Sequence, residues 1–168
     1  MAVIYRPINP NDNRIIAELI RTVFREFKID MPGTVYTDPT TDHLFELFRT
    51  PKSCYWIAED DGEMLGGCGI FPTAGLPEGY AELVKFYLKS SARGKGIGRE
   101  LMYRSIESAK NEGFTHLYLE SFPELATAVG MYKLAGFEYI DHALGNSGHF
   151  ACNIWMVKKV IGMSDHNH

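Results

Sequence analysis

Residues 80–113 read YAELVKFYL-KSSARGKGIG-RELMYRSIESAKNEG, and the rest of the chain is organised around this stretch. Its first part, rich in Val, Phe, Tyr and Leu without an interior Gly or Pro, has strand composition. Its last part places Ile97, Leu101, Ile106 and Ala109 near a 3.6-residue period, which predicts an amphipathic helix. Gly113 suits the left-handed position that follows such a helix. Between them lies Arg93-Gly94-Lys95-Gly96-Ile97-Gly98. A helix's first turn leaves N–H groups free, and the helix dipole adds about half a positive charge there. Glycines let an anion approach that backbone, and Arg93 and Lys95 supply cationic donors. Strand, glycine-rich turn and helix together predict a phosphate site. The glycines run G-x-G-x-G, which is neither the dinucleotide fingerprint G-x-G-x-x-G nor a Walker loop. A purely structural turn is the alternative.

Arg93-x-x-Gly96-x-Gly98 in this setting resembles the Q/R-x-x-G-x-G/A signature of the GNAT family of N-acyltransferases. The likeness continues through the strand-like Phe114–Glu120 (FTHLYLE) and through Ala126–Phe137 (ATAVGMYKLAGF), similar to the family's A-x-x-x-Y-x-x-x-G-F ending. It covers about residues 80–140. The resemblance implies an α/β (α+β) fold: a mixed, mostly antiparallel central sheet flanked by helices on both faces. It also implies acetyl-coenzyme A as cosubstrate, its pyrophosphate on Arg93, Gly94, Lys95, Gly96, Ile97, Gly98 and Arg99. The pantetheine arm would lie between the splayed strands 81–89 and 114–120, bonded by the backbone of Phe86, Tyr87 and Leu88. Tyr132, four residues before Gly136, matches the family's general acid. Glu82, six residues before Leu88, has the spacing of the family's base, and ordered water is the alternative base. Alternation places Glu82, Val84, Phe86 and Leu88 on one face of the strand. Glu120 is a further carboxylate for the site wall. The family's V-x-P strand end is replaced by Leu88-Lys89-Ser90, and its cofactor-contacting Asn by Leu125.

The remaining chain agrees with one domain over 1–160 and a polar tail over 161–168 (GMSDHNH ends the chain). With 168 residues, 45% hydrophobic and 23% charged, the composition is that of an ordinary globular protein. A net charge of −4 argues against a general nucleic-acid binder and suits a small anionic ligand on one basic loop. Cys54, Cys68 and Cys152 form neither a disulfide framework nor a zinc pattern, and the two tail histidines, His166 and His168, suggest no metal site. No signal peptide or apolar run of membrane length is present, so a cytoplasmic location without a membrane partner is expected.

Residues 2–8 form a strand, at an edge because of Pro7. Asn11 or Asp12 caps a helix over 13–28, a loop follows over 29–41, and a short helix lies near 41–49. Ser53–Glu59 and Met64–Phe71 flank Asp60-Asp61-Gly62-Glu63, a hairpin signal, and Gly66, Gly67 and Gly69 suggest a bulge or close backbone approach. The resemblance assigns the 29–50 region to the acceptor, with Asp30, Tyr36 and Asp38 as candidate contacts; turn chemistry on a solvated loop is the alternative reading of these three. Residues 148–156 (GHFACNIWM) resemble the G-H-x-x-C-x-x-W-M ending of a bacterial GNAT subgroup related to MarR-fused domains. On a strand His149 and Cys152 face opposite sides, which excludes a nucleophilic pair and leaves His149 for the site mouth. The expected activity is acetyl transfer to a primary amine on a small molecule. The alternatives are a peptide or protein N-terminus, a non-catalytic coenzyme A sensor, and a nucleotide-binding α/β domain. A homodimer is left open.

Overall fold

The computed structural model describes residues 2–160, so the 161–168 tail and its histidines lie outside the described residues. One seven-stranded sheet has the order β1-β2-β3-β4-β5-β7-β6. The strands are β1 (Val3–Pro7), β2 (Cys54–Asp60), β3 (Glu63–Phe71), β4 (Tyr80–Leu88), β5 (His116–Ser121), β6 (Glu138–Ile140) and β7 (Ile154–Lys159). Every pairing is antiparallel except β4 with β5. That parallel step needs a crossover, which helix α3 (Ile97–Asn111) provides. Pro7 sits on edge strand β1, where its missing N–H costs no ladder bond.

Helices α1 (Asn13–Glu26) and α2 (Leu44–Leu47) cover one face of the sheet. Ile16, Ile20 and Phe24 of α1 pack there with Leu44, Tyr55, Ile57 and Phe122. Helices α3 and α4 (Ala126–Leu134) cover the other face, where Leu101, Met102, Val129 and Tyr132 meet Ala81, Leu83, Leu117 and Leu119. The expected three-layer arrangement is therefore present. The Asp-Gly hairpin is also as expected: Asp61 (φ 50) and Gly62 (φ 82) both take the left-handed backbone that a two-residue primed turn requires.

Two local expectations are corrected. The cap of the first helical segment is Asn9, which accepts from the Asn11 N–H, while Asp12 accepts from the Asn9 N–H and pairs with Arg6. Asp12 thus closes a capping box around a 3-10 turn at Pro10–Asp12 instead of capping α1 directly. The helix expected near 41–49 is a 3-10 turn, Pro39–His43, running into the four-residue α2. Among the described residues no helix is long and apolar enough to cross a membrane.

Candidate active site

β4 and β5 pair only over Tyr80–Glu82 with His116–Tyr118, then separate. From Leu83 onward β4 has no strand on that side, so its backbone edge is open to an added extended ligand. On its other side the ladder with β3 contains an irregularity: Gly69 opposes Val84, but Gly67 opposes Tyr87. Two residues of β3 thus span three of β4, and Lys85 takes a left-handed φ of 53°. The bulge that the β3 glycines hinted at therefore lies on β4. Tyr55 holds it: the fully buried phenol donates to the Lys85 carbonyl at 2.6 Å. The ring crosses β3 at Gly67, where a Cβ would lie 2.5 Å from it, so only glycine fits.

The bulge reverses the alternation. Ala81, Leu83, Phe86 and Leu88 pack towards α3 and α4, whereas Val84 and Tyr87 pack towards α1. Glu82, two residues from Val84 along regular strand, shares the α1 face. The expectation that Glu82 shares a face with Phe86 and Leu88 is therefore wrong, because the extra residue at Lys85 flips the strand between them.

Where the strands part, a cavity of ≈ 50 Å³ is lined by Glu82, Lys85, Glu120, Tyr132, His149 and Cys152, with Phe24, Val35, Phe122 and Leu125 among its apolar walls. Glu82 is 5% exposed and accepts from the Thr73 hydroxyl at 2.6 Å. Burial, with the nearby Glu120 charge, pushes its carboxyl up to about 7 despite the Thr73 bond. Such a carboxylate can take up a proton near neutral pH. Tyr132, buried between Phe86 and Phe137, is kept a neutral phenol by desolvation, which raises it above its ordinary value. Glu120 accepts from Tyr118 and from Ser147, each at 2.7 Å. It therefore anchors the 141–153 segment over the cavity.

That segment corrects another expectation: residues 148–153 are a loop, not strand, since β7 begins at Ile154. His149 turns to Asp38, with Nε2 2.7 Å from Oδ2, and so joins the 141–153 loop to the 29–43 segment. Burial alone would raise Asp38, but the bonds from His149 and Thr40 lower it overall. Burial and the charges of Glu120 and Glu82 push the Cys152 thiol up to about 12, which disfavours the thiolate. Asp30 is exposed, and Tyr36 stands beside the cavity, its hydroxyl and carbonyl accepting from Arg25 and Arg21. Neither lines the cavity. Lys85 and Thr73 were not expected from the sequence; the only sign of the bulge that brings Lys85 to the cavity was the glycine run opposite.

The glycine-rich loop follows β4 directly. Gly94 (φ 76) and Gly96 (φ 81) both need the left-handed region, and a Cβ on Gly94 would meet nothing within 4 Å. Their space is open, as an anion bound to the α3 N-terminus would need. Gly98 serves a different purpose: its Cβ would lie 3.0–3.1 Å from Leu88, Met131 and Phe86, so glycine lets α3 close on β4. Arg93 is corrected. Its guanidinium bonds both Glu26 oxygens at 2.6 and 2.9 Å and the Leu88 carbonyl at 2.9 Å. It staples the loop to α1, leaving Lys95 and Arg99 as the exposed cations of the turn. Among the described residues no cluster of His, Cys, Asp and Glu could hold a metal.

Comparison with known proteins agrees with this arrangement. A model of the acetyltransferase (GNAT) family matches residues 19–137. The chain is 36% identical over 158 residues to the uncharacterized N-acetyltransferase YjgM of Escherichia coli strain K12, covering 94% of this chain and 95% of that one. It is 28% identical over 111 residues, 65% of this chain and 71% of the relative, to a putative [ribosomal protein bS18]-alanine N-acetyltransferase of Bacillus subtilis. A GNAT-family acetyltransferase from Staphylococcus aureus Mu50 superposes with a TM-score of 0.84 at 18% identity, over 95% of this chain and 99% of that one. The PaiA N-acetyltransferase of Thermoplasma acidophilum, solved in complex with coenzyme A, superposes at 0.74 with 19% identity and the same coverage.

Proposed function

The chain belongs to the GNAT family of acetyltransferases, and from that premise we propose that it moves an acetyl group from acetyl-coenzyme A to the primary amine of a small molecule, by direct attack in a ternary complex. The observation that carries this reading is the cavity at the β4–β5 parting. It joins a buried carboxylate that can take up a proton near neutral pH, a neutral phenol and an open strand edge, on the strand that runs on to the glycine loop.

The loop and edge fit acetyl-coenzyme A. Gly94 and Gly96 leave open space before the α3 N-terminus for the pyrophosphate, and the open β4 edge can accept the pantetheine arm as an extra strand. When bound, acetyl-coenzyme A supplies the activated acetyl thioester. The backbone around the bulge, Phe86 to Leu88, polarises its carbonyl oxygen as a fixed donor. Glu82 takes a proton from the acceptor ammonium, directly or through water, so that the free amine attacks, and Tyr132 gives its phenol proton to the departing thiolate. Direct transfer needs no enzyme nucleophile, consistent with the high thiol value at Cys152.

A small acceptor is favoured over a peptide terminus because the cavity is small and roofed. Glu120–Ser147 and His149–Asp38 hold the 141–153 loop across it. The name of the Bacillus subtilis relative keeps a protein N-terminus as the second reading. The test is the melting temperature with acetyl-coenzyme A, with ATP and NAD as controls, followed by thiol release with amines. A ligand at a hundredfold excess over Kd stabilises by about 2.7 kcal/mol. No shift with acetyl-coenzyme A would overturn the reading. A shift without turnover on any amine would favour a sensor.

A further inference from the structure

Four charged side chains stand around the acceptor cavity besides Tyr132 and Cys152, and their bonding is unequal. Glu82 bonds Thr73, Glu120 bonds Tyr118 and Ser147, and Asp38 behind them bonds His149 and Thr40. The cation among them is Lys85, 8% exposed and lining the cavity. Among the described residues no carboxylate oxygen lies within the 4.0 Å ion-pair distance of its Nζ. Asp38 and Glu82 act on it only through space, and burial lowers it below the ordinary lysine range. A buried ammonium without a bonded counterion is costly unless a ligand supplies one. Its backbone explains why it is there: the left-handed bulge, fixed by Tyr55, turns this residue into the cavity lining.

Resting on the acetyltransferase reading, we propose that Lys85 recognises a carboxylate on the acceptor, so that the substrate is an amino acid, its amine directed to Glu82 and its carboxylate bonded by the Lys85 ammonium. Phe24, Val35, Phe122 and Leu125 give the cavity an apolar wall, which selects an acceptor with an apolar body between or beside those two groups. No bond is formed or broken at Lys85. It is a specificity residue that positions the amine by holding the opposite end of the molecule.

The test compares free amino acids with their carboxamides, which keep the amine and lose the negative charge. For the wild-type protein, thiol release from acetyl-coenzyme A should favour the acids by roughly 10–100-fold in kcat/KM, the range of a buried charge-assisted hydrogen bond. Lys85→Met should remove that preference by lowering kcat/KM for the acids far more than for the carboxamides. Its melting shift with acetyl-coenzyme A should match wild type, which establishes folding and cofactor binding. Wild-type protein that acetylates carboxamides or plain alkylamines as well as acids would overturn the inference, whatever the variant does. So would a Lys85→Met variant that loses both acceptor classes alike. If neither class turns over, N-acetylated amino acids should still raise the melting temperature of the coenzyme A-bound wild-type protein. No such rise overturns the inference too. Failure of acetyl-coenzyme A itself to raise the melting temperature is a different result: it overturns the transferase reading beneath, and this one with it.

Discussion

Replacing Glu82 by Gln should make the protein more stable and less active, and the gain in stability should depend on pH in a defined direction. The native state holds this carboxyl at about 7 against an ordinary 4.5, chiefly through burial. Its folded value is above its unfolded one, so the native state binds the proton more tightly. The residue's favourable contribution is present at low pH and is lost as pH rises from 4.5 through about 7. Near pH 8 the ionised carboxylate therefore costs about 3 kcal/mol, and near pH 5.5 about 1.4 kcal/mol. Gln removes the charge while its amide oxygen can still accept from the Thr73 hydroxyl, so little bonding is lost. For a chain of this size those energies correspond to melting gains of roughly 6–12 °C near pH 8 and roughly 3–6 °C near pH 5.5. Urea unfolding of both proteins at the two pH values measures the difference directly. Turnover should fall by about 10²–10⁴-fold if Glu82 is the base. A gain of equal size at both pH values would refute the raised carboxyl, and full activity would refute its role as base.

Three further outcomes are expected. Tyr132→Phe removes the phenol but keeps the ring against Phe86 and Phe137, so kcat should drop by about 10²-fold or more while acetyl-coenzyme A affinity, read by titration, stays near wild type. Gly96→Val and Gly98→Val should part company. The first forces a branched side chain to φ 81°, so it should strain the backbone by about 1–3 kcal/mol and also weaken acetyl-coenzyme A binding; the second drives into Leu88, Met131 and Phe86 and should cost about 1–3 kcal/mol of stability by denaturation with the smaller effect on cofactor affinity. Arg93→Ala and Glu26→Ala should each lower stability by up to about 1 kcal/mol. The double variant should lose little more than either single one, and full additivity would refute the staple.

The fold around the glycine loop was legible because its signals are local. A strand, a glycine turn and a helix start lie consecutively from Tyr80, and the Asp61-Gly62 hairpin is specified by its own two residues. The acceptor half is built from pairs far apart in the chain: His149 with Asp38, Ser147 with Glu120, Tyr55 with the Lys85 carbonyl. No spacing rule reaches across such separations. The helix cap was misplaced for a related reason. Asp12 has the composition of a cap for α1, but its carboxylate is already taken by the Asn9 N–H and Arg6. Arg93 shows the same limit: its place in the motif is read locally, whereas its guanidinium pairs with Glu26, on a different element.

On the proposed reading, the bulge at Lys85 would let one strand serve both substrates. A regular β4 would present Glu82, Val84, Phe86 and Leu88 on one face, and the carboxylate would stand with the residues that pack on α3. With one extra residue, Phe86 and Leu88 stay beneath the glycine loop at Gly98, while Glu82 and Lys85 line the acceptor cavity on the side of α1. The device depends on Tyr55, whose hydroxyl fixes the bulge from β2 and whose ring demands glycine at Gly67. Tyr55→Phe leaves the core packing intact and releases the Lys85 carbonyl. It should therefore lower kcat/KM for the acceptor more than it lowers the melting temperature or acetyl-coenzyme A affinity. Equal loss of cofactor and acceptor function would mean that the bulge does not divide the two sites.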